Sequence, residues 1–196
     1  ACEDFGERGA VDLRVGLGRV VAGEMAMTSP PVMINDLVVQ GAMTRDNARV
    51  DSPGGVIRAW DARTGELRWA FDPVPPGSAT PESVGAPAGQ RYHSGTANSW
   101  GISSTVPKRN LIFVPFGSPG LDFVGGHRRN NGIDVTYYAN SVVALDAATG
   151  EVRWHFQTVH QDLWDYDIAA QPVLIDLEKG GETVPALVQA TKMGHL

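Results

Sequence analysis

Ala59-Trp60-Asp61-Ala62-Arg63-Thr64-Gly65-Glu66-Leu67-Arg68-Trp69 returns further along the chain as Ala144-Leu145-Asp146-Ala147-Ala148-Thr149-Gly150-Glu151-Val152-Arg153-Trp154. The shared frame is Ala-x-Asp-x-x-Thr-Gly-x-x-x-Trp. Each fixed position has a physical reason. Asp or Thr can bond the backbone of a tight turn, and Gly supplies a positive φ. The tryptophan ends the following strand, where its ring can pack over a neighbouring sheet.

Working outward, each turn sits in a longer repeat. The first copy runs from Ser29 to Phe71: Ser29 to Ile34, a turn at Asn35-Asp36, Leu37 to Gly41, a loop over 42–55, then Val56 to Asp61 and Leu67 to Phe71 about the Thr64-Gly65 turn. The second copy runs from Ser103 to Phe156, with a turn at Lys108-Arg109-Asn110 and a longer loop over 116–138. A third starts at Gln171-Pro172-Val173 and continues from Val184 to Thr191. Repeats of four short strands over about 40–50 residues predict an all-β propeller of four-stranded antiparallel blades. The alternative is two similar hairpins in an unrelated β-sandwich. The expected division is an irregular segment over 1–24, blades over 29–71 and 103–156, and the start of another over 170–196. Trp69 and Trp154 are expected at equivalent, largely buried positions.

Composition agrees with a folded β-rich chain. Of 196 residues 42% are apolar and 19% charged, which is globular rather than disordered. The 23 Gly and 13 Pro suit short strands joined by tight turns. A net charge of -6 without a block of like charge argues against nucleic acid and against an anionic membrane surface. No apolar run approaches the roughly 20 residues of a membrane span. Cys2 is the single cysteine and cannot pair within the chain.

Between the second and third copies lies Val159-His160-Gln161-Asp162-Leu163-Trp164-Asp165-Tyr166-Asp167-Ile168-Ala169-Ala170-Gln171. Three carboxylates beside two aromatics suit a loop folded inward over a polar cavity, where poor solvation raises a carboxyl toward a useful base. The plain alternative is an acidic turn with two aromatics plugging the space beneath it. The loops holding Asp46-Asn47 and Gly117-Ser118 both follow the second strand of their copies. Loops at equivalent repeat positions leave a propeller on one face, so Asp46, Asn47, Ser118 and the acidic loop are expected around one cavity.

The chain resembles the quinoprotein dehydrogenases that use pyrroloquinoline quinone, in the membrane-bound glucose dehydrogenase branch that includes the quinate/shikimate enzymes. The motifs are Cys2-x-Asp4-Phe5-Gly6 with Val11-Asp12-Leu13, Thr28-Ser29-Pro30-Pro31, Asp46-Asn47 with Gly55-Val56-Ile57-Arg58, Asn98-Ser99-Trp100, Tyr138-Ala139-Asn140-Ser141, and Gln157 to Asp167. The last is highly specific; the repeated turn is shared with other propellers. The resemblance covers nearly the whole chain. It implies an eight-bladed propeller with the quinone and a divalent ion, Ca²⁺ or Mg²⁺, on its axis. About three blades would be present, and the chain is expected to be a segment of a longer membrane-anchored enzyme at the periplasmic face. The implied reaction is oxidation of a sugar or polyol hydroxyl, glucose first and quinate or shikimate second, with electrons passed to ubiquinone. A non-catalytic propeller scaffold is the competing class.

The same resemblance implies roles. Asp165 is the catalytic base and Lys192 the lysine against the quinone oxygens. Trp100 lies under the planar cofactor, with Thr28 and Ser29 near its edge. Asp46 and Asn47 lie by the metal, and Ser118 stands where many alcohol-oxidising relatives carry an asparagine ligand. Taken singly, Asp46-Asn47 reads as a turn, Trp100 as core and Lys192 as a solvated strand residue. Asp162 is expected to be only a loop carboxylate. Gln161 follows His160 where the family often repeats His, and Arg128 and Arg129 receive no role.

Overall fold

The computed structural model describes residues 2–130 and 132–196, and β-strands form every regular element longer than three residues among them. In chain order the strands are β1 (Met25–Ala26), β2 (Val32–Ile34), β3 (Leu37–Gln40), β4 (Met43–Thr44), β5 (Ile57–Asp61), β6 (Leu67–Phe71) and β7 (Ser104–Val106). They continue as β8 (Leu111–Pro115), β9 (Arg129–Asn130), β10 (Ile133–Asp134), β11 (Ser141–Asp146), β12 (Val152–Gln157), β13 (Val173–Lys179) and β14 (Glu182–Val188). Two four-stranded antiparallel meanders result, β2-β3-β5-β6 and β7-β8-β11-β12, and β13-β14 forms a separate hairpin. The two sheets span Val32 to Phe71 and Ser104 to Gln157. The two-stranded ladders β1-β4 and β9-β10 stand apart from the blades, in the segments around and between their strands.

The repeated sequence builds the same turn twice, down to single atoms. Asp61 Oδ1 accepts from the backbone N–H groups of Arg63 and Thr64 at 2.9 and 3.0 Å; Asp146 Oδ1 accepts from those of Ala148 and Thr149 at 2.9 and 3.2 Å. The second carboxylate oxygen takes Arg68 in one blade and Arg153 in the other. Both sheets carry a register irregularity at the same place, Ala59/Trp60 and Ala144/Leu145.

β11 shows why these residues make a central strand. All six of its residues are buried, and its side chains alternate between two layers. Val143 and Leu145 pack with Ile34, Val39, Ile57, Trp69 and Phe71 in the layer between the blades. Val142 and Ala144 face the other way, with Phe113 and Ile168 and against Leu187 of β14.

Trp69 fastens the blades together. It is 7% exposed, and its indole Nε1 donates to the carbonyl of Ala147 at 2.8 Å. A Cβ on Gly150 would lie 2.5 Å from Cε3 of that ring, and Gly150 has φ 74, so only glycine suits the position. Trp154 departs from expectation: it is 42% exposed. It has the same place in its sheet, opposite Ala144 as Trp69 is opposite Ala59, and its ring rests beside Phe113 with centroids 5.7 Å apart.

The leading segment is docked on the first blade. Gly6 N–H donates to the Thr64 carbonyl at 2.7 Å, and buried Arg58 donates to the carbonyls of Leu13 and Val15.

Candidate active site

The acidic loop between β12 and β13 is folded around one carboxylate. Asp162 is 1% exposed, and four donors converge on it. Trp164 N–H reaches Oδ1 at 2.9 Å; Tyr166 N–H, Ser118 Oγ and Asn140 Nδ2 reach Oδ2 at 2.6, 3.0 and 2.9 Å. Such a set satisfies a buried carboxylate fully. Wrapping the backbone on it turns Gln161 and Asp165 into the left-handed region, φ 52 and 62. Asp162 is therefore more than the loop carboxylate expected from sequence. The aromatics do not plug the space below either: Trp164 is 64% exposed and stands beside Tyr166 on the surface. The hydrogen-bonded acids Asp162 and Asp167 take the interior instead.

Next to that wrap the structure brings Asp165, Lys192 and Trp100 together around Asp167. Lys192 Nζ lies 3.1 Å from Asp165 Oδ2 and 3.3 Å from Asp167 Oδ2, and 5.9 Å from the centroid of Trp100. Trp100 Nε1 donates to Asp167 Oδ2 at 3.1 Å, and Ser118 N–H donates to Asp167 Oδ1 at 2.5 Å. Asp167 comes this close because residue 117 has no side chain: a Cβ on Gly117 would lie 2.5 Å from Oδ1. The hydroxyls of Thr28 and Ser29 both donate to the Trp100 carbonyl, so they brace the tryptophan.

Asp46 and Asn47 approach the same region. Asn47 and Asp122 bond reciprocally, Nδ2 to Asp122 Oδ2 at 2.8 Å and Asp122 N–H to Asn47 Oδ1 at 3.1 Å. Asp46 has an open face, yet the atoms packed about its carboxyl, then Asp167 and Asp165, push its pKa up; Lys192 opposes them. Burial first, then Asp46, Asp165 and Asp167, pushes Asp122 up to about 6. Burial also raises Asp165, with the bond to Lys192 opposing and Asp167 adding. For Lys192 burial works downward, but Asp167 and Asp165 together hold the ammonium above its ordinary value. Asp46, Asp122, Asp165 and Asp167 thus share a neighbourhood in which Lys192 is ion-paired with Asp165 and Asp167.

This arrangement fits the two expected groups unequally. An indole face with an ammonium beside it suits a flat anionic quinone. The acidic excess suits a divalent cation by charge. Its expected ligands are less free, because Asn47 is paired with Asp122 and Ser118 Oγ lies between Asp162 and Asn140. Asp46 is the one of the three with no protein hydrogen bond to its carboxylate among the described residues. No three His, Cys, Asp or Glu among those residues are grouped closely enough to hold a metal by themselves.

Sequence reasoning gave no role of their own to Asp167, Asp122 and Arg128. Arg128 is 3% exposed and donates to the carbonyls of Leu121, Asp122 and Asp162.

Residues 1–196 match the family described as "PQQ: Glucose/ethanol/alcohol dehydrogenase, beta-propeller domain". The chain belongs to that family. It is 45% identical over 196 residues to a quinate/shikimate dehydrogenase (quinone) of Acinetobacter baylyi, covering 99% of this chain and 23% of the relative. It is 35% identical over 196 residues to a quinoprotein glucose dehydrogenase of Escherichia coli, covering 100% of this chain and 24% of the relative. Among solved structures, a quinohemoprotein alcohol dehydrogenase from Pseudomonas putida superposes with a TM-score of 0.63 at 26% identity, over 83% of this chain and 24% of that one. The chain thus spans about a quarter of the length of the curated relatives it matches.

Proposed function

We propose that the protein containing this chain is a quinoprotein dehydrogenase. It oxidises a secondary hydroxyl of a polyhydroxylated substrate with pyrroloquinoline quinone and passes the electrons to ubiquinone. The observation that carries the reading is the Asp165–Lys192 pair set against the Trp100 ring. Blade turns serve any propeller; a scaffold has no use for an acid of raised pKa, an ammonium and an indole at one point.

Trp100, braced by Thr28 and Ser29, would support the cofactor plane, and Lys192 would bond its quinone oxygens. Asp46, with Asn47 and Ser118 near it, would take part in holding Ca²⁺ or Mg²⁺, for which oxygen donors are suited. The bound quinone supplies the two-electron acceptor that protein side chains lack. Asp165 supplies the base: ionised beside Lys192, it accepts the substrate hydroxyl proton on a carboxylate oxygen. Its raised pKa makes it a better acceptor than a solvated aspartate. Asp167 keeps Lys192 charged and fixes the indole through Nε1.

Residues 1–196 are read as part of one propeller domain at the periplasmic face of a membrane-anchored enzyme. Of the two substrates named from sequence, identity favours quinate over glucose, 45% against 35%. The test is dye-linked oxidation of quinate, shikimate and glucose by the complete protein, loaded with the quinone and Ca²⁺ or Mg²⁺. Asp165→Asn should bind quinone normally and lose about 10²–10⁴-fold in turnover, the usual value of a general base. Near-normal turnover in that variant would assign the wrong carboxylate. A wild type with no quinone-dependent turnover on any of the three would favour the scaffold.

A further inference from the structure

Two arginines in this chain are almost fully buried and share an unusual bonding pattern. Arg58 is 4% exposed and Arg128 is 3% exposed. Neither is ion-paired among the described residues; each directs its Nη groups at backbone carbonyls and leaves Nε without a partner. A buried guanidinium whose hydrogen bonds all go to carbonyls is a clamp, because its planar fork fixes several chain segments in one geometry. What differs is what each clamps.

Arg58 holds Leu13 and Val15, in the leading segment on the first blade. Arg128 holds two loops that both reach the site. On one side are the carbonyls of Leu121 and Asp122, at 2.8 and 3.0 Å, and Asp122 bonds Asn47 reciprocally, beside Asp46. On the other is the carbonyl of Asp162, whose carboxylate shapes the turn that carries Asp165. The loops are about forty residues apart in sequence. Ser118 adds direct links, Oγ to the Asp162 carboxylate and N–H to Asp167 Oδ1, but neither joins Leu121 or Asp122 to the acidic loop.

We infer that Arg128 is a positioning residue: it latches the loop behind Asp46-Asn47 to the loop beneath Asp165 and thereby sets the spacing across the site. The effect on turnover rests on the function proposed above; the latch itself does not. Lysine cannot replace it, because a single ammonium cannot present two separated donors in one plane. Misplacing a catalytic group by about 1 Å can cost around 10²-fold in rate.

The experiment compares Arg128→Lys with Arg58→Lys in the complete, quinone-loaded protein. Both should lower the melting temperature by similar amounts, since both disturb one buried clamp. Only Arg128→Lys should lower kcat, by about 10–100-fold, at temperatures well below melting. In an Asp165→Asn background the same change should cost little further, because it acts through Asp165. Amide exchange should quicken over 118–122 and 162–166 together in Arg128→Lys, and over 11–16 in Arg58→Lys. Equal kcat losses in the two variants, or an unchanged kcat in Arg128→Lys, overturn the positioning role. A wild type without quinone-dependent turnover would sink the proposed function, while the exchange pattern still decides the latch. One measurement needs no variant: in rising denaturant, wild-type amides of the two segments should open as one unit. Separate openings overturn the inference.

Discussion

The turns at Gly65 and Gly150 have the same sequence frame and the same hydrogen bonds, but different covers. The indole of Trp69 lies against Gly150 and donates to Ala147. At Gly65 the same place is taken by backbone at Gly6 and the side chain of Val11, from the leading segment. Trp154, the counterpart of Trp69, covers no turn among the described residues and is 42% exposed. The turn is thus self-sufficient, held by its own Asp, Thr and Gly. The tryptophan is not: its burial depends on the next copy of the motif. Local chemistry builds each blade edge, and the neighbouring copy decides what that edge contributes to stability.

The sharpest way to break this comparison is to truncate both rings. Trp69→Ala should cost about 3–5 kcal/mol, the range for removing a buried large aromatic. Trp154→Ala in this chain should cost about 1 kcal/mol or less, as expected away from the core. Denaturant titration reads both, and equal losses would mean that the exposed ring is as well packed as the buried one.

A second test moves the turn chemistry from the rim to the interior. Asp146 and Asp162 both accept backbone N–H groups, but Asp162 is 1% exposed and Asp146 8%. Asp162→Asn replaces an acceptor with an amide donor facing N–H groups, which should cost about 1–3 kcal/mol and loosen the Asp165 turn. Asp146→Asn should cost less than 1 kcal/mol, about the value of the partly exposed Arg153 pair. If thermal melts rank the two the other way, burial is not what separates them.

The smallest effect lies in the long connection between the blades. His93 Nε2 is 2.9 Å from the Ala79 carbonyl, which can only accept, and Nδ1 is 2.8 Å from Asp72 Oδ2. Two acceptors on the ring favour its charged form, and Asp72 raises the His93 pKa against the opposing effect of burial. A histidine raised on folding stabilises most fully below its unfolded pKa, near 6.5. That contribution fades as pH rises through the folded value. The difference in melting temperature between wild type and His93→Gln should accordingly shrink from pH 6 to pH 9. A constant difference would show that the ring is neutral throughout.

The blades were legible because their signals are local: Asp61 bonds residues two and three positions ahead, and the same spacing recurs at Asp146. The site was legible only in part. Asp165, Lys192, Trp100, Asp46, Asn47 and Ser118 came from family motifs, and the structure brings the first three into contact. Asp167 was hidden because its partners, Trp100 and Ser118, lie 67 and 49 positions away. Arg128 was harder still. It adjoins Arg129, whose side chain is 67% exposed and paired with nearby Asp134. Nothing in two successive arginines says which one turns inward, because carbonyls contributed by distant loops decide it.

The bond from Trp69 to Ala147 also sets a clock. Its two ends are 78 positions apart. A ribosome adding about 5–20 residues per second needs roughly 4–16 s to cross that distance. Trp69 leaves the ribosome that long before Ala147 and Gly150, and until they follow its indole has no carbonyl to meet and no glycine to rest on. The first blade is therefore born with a greasy flank that the second must quench, and that interval is when a chaperone has something to hold.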